Sequence, residues 1–159
     1  MKLYFLRHAE ALAGADDAAR PLSAHGQKQA AEIGRFLKRA GVEFDAAYTS
    51  PLVRAKQTVE IVLKVCGSTR LQIPDALLNE TSQTEFDEWL SQLPGAKHVL
   101  LVGHAPSLPE RVRHLLGVTD AEAFKLPKAG LACLDTDDRR TASLKFFITP
   151  KALGLKADG

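Results

Sequence analysis

Apolar segments and helical patterns alternate along most of this chain. Short apolar runs of strand length are separated by stretches in which apolar residues recur every three or four positions, which is the spacing of one helix face. Ser23 and Gly41 bound the clearest helix, because serine is a favoured N-cap and glycine a favoured C-terminal stop. The predicted strands are 2–6, 44–49, 71–73, 98–102, 130–136 and 142–149, and the predicted helices are 24–40, 51–66, 85–93 and 109–116.

This order of elements predicts the fold class. Strands that alternate with helices indicate an α/β protein in which helices cover both faces of a mostly parallel sheet. The last two strands are joined across a polar turn and predict a hairpin, and therefore an antiparallel edge. With 159 residues, 45% of them apolar, the chain suits one domain. We predict a three-layer α/β/α sandwich over residues 1–150, followed by a loosely held tail over 151–159.

Composition narrows the partners and the compartment. A net charge of +2 gives no electrostatic footprint for nucleic acid. The amino-terminal apolar run is too short for a signal peptide, and the longest later run, Val99 to Val102, is too short to span a membrane. Cys66 and Cys133 belong to no paired motif, which favours a reducing compartment. We therefore predict a cytoplasmic protein with no nucleic-acid or membrane partner.

Three predicted strands end in groups that suit phosphate. Arg7 and His8 follow the first strand, Ser50 follows the second, and His104 follows the apolar strand 98–102. The carboxyl ends of parallel strands share one edge of a sheet, where ligands bind. If Ser50 is the N-cap of the next helix, Arg54 lies in its first turn, where free N–H groups already favour an anion. Two arginines, two histidines and a helix start therefore predict a phosphate or oxyanion site.

Other chemistries have weaker support. The chain has neither a Walker loop nor a G-x-G-x-x-G fingerprint, so a nucleotide site lacks its motif. Cys133 and Arg139 have the spacing of a cysteine phosphatase, but three aspartates lie between them and would repel a phosphate dianion. A zinc deaminase signature starts like His8-Ala9-Glu10, but needs a paired cysteine motif. A metal site made by His8, His104 and a carboxylate stays open as an alternative.

The motifs together carry a family resemblance. Residues 6–10, Leu-Arg-His-Ala-Glu, resemble the Arg-His-Gly signature of the histidine phosphatase superfamily, also called phosphoglycerate-mutase-like. Residues 50–58 resemble its second motif at Ser, Pro, Arg, Ala, Gln and Thr, and residues 102–104 resemble its third. Residues 20–23 with Gly26 resemble the segment that opens the family's first helix. Order, spacing and length are most similar to the bacterial SixA-type phosphohistidine phosphatases.

This resemblance implies a phosphoglycerate-mutase-like fold and a phosphatase that needs neither metal nor cofactor. His8 would be the nucleophile, taking the phosphoryl group from a phosphohistidine-bearing signalling or phosphorelay protein, with Arg7, Arg54 and His104 around the phosphate oxygens. The two guanidinium charges favour a neutral imidazole, whose other ring nitrogen needs an acceptor such as a backbone carbonyl. Ala9 replaces the signature glycine. We expect activity to survive, because the added methyl matters only at positive φ or against the ligand.

Two further residues and two further functions remain open. Residues 78–80 resemble the loop that carries the proton donor in the mutase branch, so Glu80 is the candidate acid where a poor leaving group needs one. Arg20 either lines the pocket or pairs with Asp16 or Asp17. The alternatives are a small-molecule phosphomonoesterase or mutase, and a phosphate-binding or phosphocarrier module with little turnover. The short segment before strand 98–102 leaves little material for a lid, which suits a phosphohistidine on a protein surface.

Overall fold

Six strands form a single mixed sheet in a computed structural model that describes residues 1–156. Within that range no helix is both long enough and apolar enough to cross a membrane. The strands are β1 (Lys2–Arg7), β2 (Ala46–Thr49), β3 (Leu71–Gln72), β4 (His98–Gly103), β5 (Leu131–Asp135) and β6 (Ser143–Ile148). The helices are α1 (Ala24–Arg39), α2 (Val53–Cys66), α3 (Gln83–Gln92) and α4 (Ser107–Leu116), with single 3₁₀ turns at Asp17–Ala19 and Asp75–Leu77.

The sheet confirms the predicted architecture. Its strand order is β3-β2-β4-β1-β5-β6. Strands β1 to β4 pair in parallel, whereas β5 runs antiparallel to both β1 and β6. The chain therefore forms an α/β sandwich whose sheet is mostly parallel and has an antiparallel edge, as the alternation of patterns predicted.

Strand β1 is buried on both faces, which explains its continuous apolar run. Leu6 packs in a cluster with residues of α1 and α2, whereas Phe5 packs in a second cluster with residues of α3 and α4. Both side chains are fully buried, and each contributes about 1.5–3 kcal/mol relative to an exposed position. Helices on both faces thus hold β1 and its carboxyl end in place.

Backbone pairing brings three strand ends together. Arg7 lies opposite Gly103 in the β1–β4 ladder. The His8 amide donates to the Gly103 carbonyl at 2.9 Å, and the Ser50 amide donates to the Val102 carbonyl at 3.1 Å. The ends of β1, β2 and β4 therefore meet at one edge of the sheet.

Three helix starts differ from prediction by two residues, and one of them is α4, which begins at Ser107 and not at Pro109. We expected Ser50 to cap the second helix, but this was wrong: α2 begins at Val53, and its N-cap residue, Leu52, makes no side-chain capping bond. The Ser50 hydroxyl bonds to a histidine instead, as described below. Helix α3 begins two residues earlier than predicted, because Ser82 and Glu85 form a capping box that satisfies the first free amides.

The chain after β1 is fixed against the start of α1. Ser23 is the N-cap of α1, as predicted, and its hydroxyl accepts from the Gly26 amide at 3.0 Å. A Cβ at position 26 would lie 2.0 Å from the Glu10 carbonyl oxygen, so this close approach needs a glycine. The backbone that follows His8 is thereby held in one path.

The carboxyl-terminal segment folds back onto the domain. We expected a loosely held tail over residues 151–159, of which residues 157–159 lie outside the described part of the chain. The Leu153 amide donates to the Thr149 carbonyl at 3.1 Å, and the Leu155 amide donates to the Pro150 carbonyl at 3.0 Å. Leu153 packs against the core cluster on the α1 and α2 side of the sheet.

Candidate active site

His8 lies at the carboxyl end of β1 with its ring oriented by the backbone. The side chain is 7% exposed, and Nδ1 is 2.7 Å from the Ala9 carbonyl oxygen. Because a carbonyl can only accept, Nδ1 carries the proton and Nε2 keeps its lone pair. The expected acceptor for one ring nitrogen is thus the carbonyl of the next residue, and the lone pair of the other is available for attack.

The surroundings of His8 keep its imidazole neutral. Burial is the main cause that lowers the pKa of His8 to about 3, and the positive charges of His104, Arg54 and Arg7 act in the same direction. The hydrogen bond to the Ala9 carbonyl opposes them. A histidine that stays unprotonated well below neutral pH is competent as a nucleophile.

His104 is the second buried imidazole of the site. It is 2% exposed, and its ring centroid lies 5.1 Å from that of His8. Nε2 is 2.5 Å from the Ser50 hydroxyl, whereas Nδ1 is buried and has no hydrogen-bond partner in the described part of the chain. If the hydroxyl donates to Nε2, Nδ1 carries a proton that a phosphate oxygen can accept. Burial first, and then the charge of Arg54, lower the pKa of His104 to about 4.

Arg54 contacts a carboxylate that the sequence did not indicate. It is the second residue of α2 and is 8% exposed. Its Nη1 donates to the Asp17 carbonyl at 2.8 Å, and its Nη2 donates to Asp17 Oδ2 at 3.2 Å. Hydrogen bonds from Arg20 and Arg54 lower the pKa of Asp17. Asp17 therefore stays ionised beside the guanidinium that we expected to bind phosphate.

Arg20 takes the second of its two expected roles. Its Nη1 donates to Asp17 Oδ1 at 3.0 Å, and its Nε donates to the Leu12 carbonyl at 2.8 Å. The carboxylate of Asp17, whose side chain is 68% exposed, is thus shared between Arg20 and Arg54. Arg20 reaches the site through Asp17. The sequence did not indicate that Arg54 shares this carboxylate, because the segment around Asp17 has no periodic pattern.

Arg7 is anchored by the segment that precedes β5. Its Nη1 donates to the Leu126 carbonyl at 3.0 Å, while its Nε is buried without a partner within residues 1–156. The Ala129 amide donates to the carbonyls of both Arg7 and His8 at 3.1 Å. The segment around Ala129 therefore fixes the backbone of the Arg-His pair from outside the sheet.

Ala9 is accommodated without a left-handed backbone. Positive φ outside glycine occurs at Ala129 and Arg139 among the described residues, and not at Ala9. The Ala9 side chain is fully buried in the core. Its amide donates to Thr58 Oγ1 at 3.1 Å, and that hydroxyl donates to the Arg54 carbonyl at 2.7 Å. The methyl that replaces the signature glycine therefore imposes no left-handed backbone and packs in the core.

The loop that carries Glu80 lies beside the segment after His104. The Asn79 amide group donates to the Ala105 carbonyl at 2.9 Å, and its Oδ1 accepts from the Ser107 amide at 3.1 Å. Glu80 itself is exposed. Asn79 thus holds this loop to the start of α4, a role that the resemblance of residues 78–80 did not indicate.

The cysteine-phosphatase spacing has a different structural meaning. Cys133 lies in β5 opposite Tyr4 and is buried, and burial raises the pKa of its thiol to about 11. Arg139 Nη1 donates instead to carbonyls at the end of α3, including that of Leu90 at 3.1 Å. Thiol and guanidinium therefore form no common anion site.

Two of the three remaining histidines, His98 and His114, have side-chain partners away from the site. His98 Nδ1 bonds to the Tyr4 hydroxyl at 2.7 Å, and His114 pairs with Asp87 at 3.3 Å. Within residues 1–156, no three His, Cys, Asp or Glu side chains are grouped so that they could hold a metal ion.

The two site histidines make stability depend on pH. The folded pKa values of His8 and His104, about 3 and about 4, lie below the ordinary value of 6.5. Between these folded values and pH 6.5, the unfolded chain therefore binds more protons than the folded chain. Their contribution is complete above pH 6.5 and is lost as pH falls towards the folded values, with a slope of about 1.4 kcal/mol per pH unit for each histidine. Urea unfolding at pH 7, 6 and 5 measures this slope. A His8→Asn variant with the same slope as the unmodified protein would contradict it.

Comparison with known proteins identifies the family of this chain. Residues 3–88 match the model of the histidine phosphatase superfamily, branch 1. The fold is similar to the solved structure of the protein histidine phosphatase SixA complexed with tungstate, with a TM-score of 0.88, 24% identity and coverage of 96% of this chain and 99% of that chain. The resemblance predicted from the motifs is thus confirmed.

Two relatives show how far the sequence similarity extends. An uncharacterized protein of Picosynechococcus sp. is 34% identical over 137 residues, which cover 82% of each chain. A 2,3-bisphosphoglycerate-dependent phosphoglycerate mutase of Lactococcus lactis subsp. cremoris is 42% identical over 80 residues, 46% of this chain and 33% of the mutase. The matched region thus spans about a third of that mutase. The family model covers more than half of the residues of this chain, and the chain therefore belongs to the histidine phosphatase superfamily, branch 1.

Proposed function

We propose that this protein is a metal-independent phosphatase that removes the phosphoryl group from phosphohistidine in a signalling or phosphorelay protein. The observation that carries the proposal is the orientation of His8. Its Nδ1 is hydrogen-bonded to the Ala9 carbonyl, so Nε2 keeps its lone pair. Arg7, Arg54 and His104 are close enough for their charges to act on this ring. These are the groups that phosphoryl transfer needs, because it depends on in-line positioning and on positive charge around the phosphate oxygens.

The first chemical step forms a phosphoenzyme. His8 Nε2 attacks phosphorus and forms a P–N bond, while the P–N bond of the substrate breaks. The electron pair of the broken bond goes to the leaving ring nitrogen. Because the other nitrogen of that ring is already protonated, the substrate side chain leaves as a neutral imidazole. The guanidinium groups of Arg7 and Arg54 and the Nδ1–H of His104 stabilise the negative charge on the transferring phosphoryl oxygens.

The second step returns the enzyme to its starting state. Water attacks the phosphorus atom of phosphorylated His8, and the P–Nε2 bond breaks with its electron pair returning to Nε2. Inorganic phosphate leaves, and the proton lost by water passes to solvent or to phosphate. The Ala9 carbonyl keeps Nδ1 protonated throughout, so that the same ring nitrogen is ready for the next substrate.

The leaving group explains why phosphohistidine suits this site. An imidazole that is protonated on its ring leaves without a strong carboxylic acid, and the exposed Glu80 is then not required. The tungstate in the SixA relative of this fold is an oxyanion analogue of phosphate, which supports an oxyanion between the two imidazoles. We also predict a cytoplasmic location, because Cys66 and Cys133 are both free and thiols stay reduced in the cytosol.

A small phosphomonoester is the second candidate substrate. It is favoured by the partial match to a phosphoglycerate mutase and by Asn79, which holds the Glu80 loop next to Ala105. An alkoxide leaves poorly without a proton, so this chemistry would need Glu80 to act as an acid. A phosphocarrier that turns over slowly would use the same four residues as the phosphatase.

A comparison of three substrates in EDTA separates these functions. We expect kcat/KM for a phosphohistidine peptide to exceed those for p-nitrophenyl phosphate and 3-phosphoglycerate by about tenfold or more, a difference of about 1.4 kcal/mol in barrier. The Glu80→Gln variant serves as the control and should keep full activity on the phosphohistidine peptide.

Other outcomes would replace the proposal. Preference for 3-phosphoglycerate, together with loss of activity in the Glu80→Gln variant, would establish a phosphomonoesterase or mutase. Labelling of His8 that persists without turnover would establish a carrier. Activity that disappears in EDTA and returns with a divalent ion would establish metal dependence.

A further inference from the structure

A cavity of about 540 Å³ lies on the β5–β6 side of the site, against Arg7. Its volume is in the range of ligand pockets, roughly 300–1,000 Å³. Its walls come from the start of α1, from the segment before β5 and from the carboxyl-terminal segment. We call it the tail pocket, after its lining residues Arg7, Glu10, Gln29, Lys128, Lys151 and Leu155.

The charged groups of the tail pocket are mainly basic. Arg7, Lys128 and Lys151 line it, and both lysines are exposed. Glu10 is the carboxylate among the lining residues, and its Oε1 already accepts a hydrogen bond from the Ser23 hydroxyl at 2.8 Å. The pocket is therefore a local cationic site on a protein whose net charge is only +2.

The position of Lys151 is set by the fold. Pro150 is buried and lines the pocket, and the Leu155 amide donates to its carbonyl at 3.0 Å. The Ala152 amide donates to Thr149 Oγ1 at 3.1 Å. A hydrogen-bonded turn thus holds Lys151 at the pocket, which Lys128 and its neighbour Pro127 also line.

Arg7 joins the tail pocket to the phosphate site. It precedes His8 in the chain and is a lining residue of the cavity. A group bound in the cavity would consequently lie next to a phosphoryl group held at His8. If the substrate is a protein, the group bound in the cavity is a side chain that lies close to the phosphohistidine on the surface of that protein.

We propose that the tail pocket binds acidic side chains that flank the phosphohistidine of the partner protein, with Lys128 and Lys151 as the recognition residues. This inference rests on the proposed phosphohistidine phosphatase function. Complementary charge across an interface favours encounter and sets register. Neither lysine contacts the reacting atoms, so their charge acts on KM and leaves kcat largely unchanged.

The test uses phosphohistidine peptides that differ only in their flanking residues. Peptides with glutamate, serine or lysine on both sides of the phosphohistidine are compared at low ionic strength, where exposed charges are least screened. We expect the lowest KM for the glutamate peptide with the unmodified protein. The Lys128→Glu/Lys151→Glu double variant should lose or reverse that order while its kcat/KM for p-nitrophenyl phosphate stays within about twofold, less than 0.5 kcal/mol in barrier.

A charge-matched control separates the pocket from the overall charge. Lys38 and Lys64 are exposed near the carboxyl-terminal ends of α1 and α2, at the edge of the sheet away from the site. The Lys38→Glu/Lys64→Glu variant changes net charge by the same amount and should keep the glutamate preference. The milder Lys128→Gln/Lys151→Gln variant gives the same readout if the charge reversal prevents folding.

Binding of the unphosphorylated glutamate peptide, measured by titration calorimetry, tests the pocket without turnover. Equal KM values for the three peptides, or a glutamate preference that survives in both Lys128/Lys151 variants, would overturn the proposal. If no phosphohistidine peptide is hydrolysed but the glutamate peptide binds and the double variant does not bind it, the pocket stands and the proposed function fails.

Discussion

Replacement of His8 with alanine will abolish turnover of every phosphorylated substrate. The variant has no nitrogen lone pair at the end of β1, so no phosphoenzyme can form, and we expect kcat to fall by about 10⁴-fold or more. Steady-state assays with a phosphohistidine peptide and with p-nitrophenyl phosphate measure the loss. Circular dichroism and thermal unfolding show whether the fold is kept.

The matched control is a histidine outside the site. His114 lies on α4, is half exposed and pairs with Asp87, so His114→Ala should keep full activity. A His8→Ala variant with activity within tenfold of the unmodified protein would rule out His8 as the nucleophile, whatever the behaviour of the control.

Loss of Arg54 is expected to have the next largest effect. Arg54→Ala removes a buried guanidinium from the first turn of α2, and with it a positive charge that we propose stabilises the phosphoryl oxygens. We expect kcat/KM to fall by about 10³-fold, the size seen when one such group is removed. The kcat/KM of the Arg54→Lys variant should lie between that of Arg54→Ala and that of the unmodified protein, because lysine keeps the positive charge and loses the planar fork.

Asp17 provides the control for this experiment. In the structure Arg54 also holds the segment around Asp17, through the carbonyl and the carboxylate of that residue. Asp17→Asn removes the charge partner and leaves the guanidinium in place, so we expect a change in kcat/KM of less than about tenfold, 1.4 kcal/mol. Equal losses in Arg54→Ala and Asp17→Asn would show that Arg54 acts by holding this segment and not by binding phosphate.

The parts of this site that the sequence predicted depend on local patterns. Apolar runs set where β1 and β4 end, and parallel pairing then brings Arg7, His8 and His104 to one edge of the sheet. Arg54 follows β2 within the first turn of a helix, so its position also follows from neighbouring residues. These features need no knowledge of distant contacts.

The features that the sequence did not predict depend on tertiary contacts. Ser50 has the residue type of an N-cap, but its hydroxyl bonds to His104, which lies 54 positions away. The pair of Asp17 and Arg54 spans 37 positions and involves a loop without periodicity. Lys151 reaches the pocket beside Arg7 because the carboxyl-terminal turn packs back on the core. A single sequence contains no local signal for such partners.

We propose that His8 carries the phosphoryl group during turnover. Rapid mixing of the protein with a radiolabelled phosphohistidine peptide, followed by alkaline quenching and peptide mapping, tests it most directly. We expect a burst of label that reaches at most one phosphoryl group per chain, is stable in alkali and labile in acid, resides on the fragment that contains His8, and decays at the rate of turnover. Turnover of the peptide without any label on His8 would contradict the account.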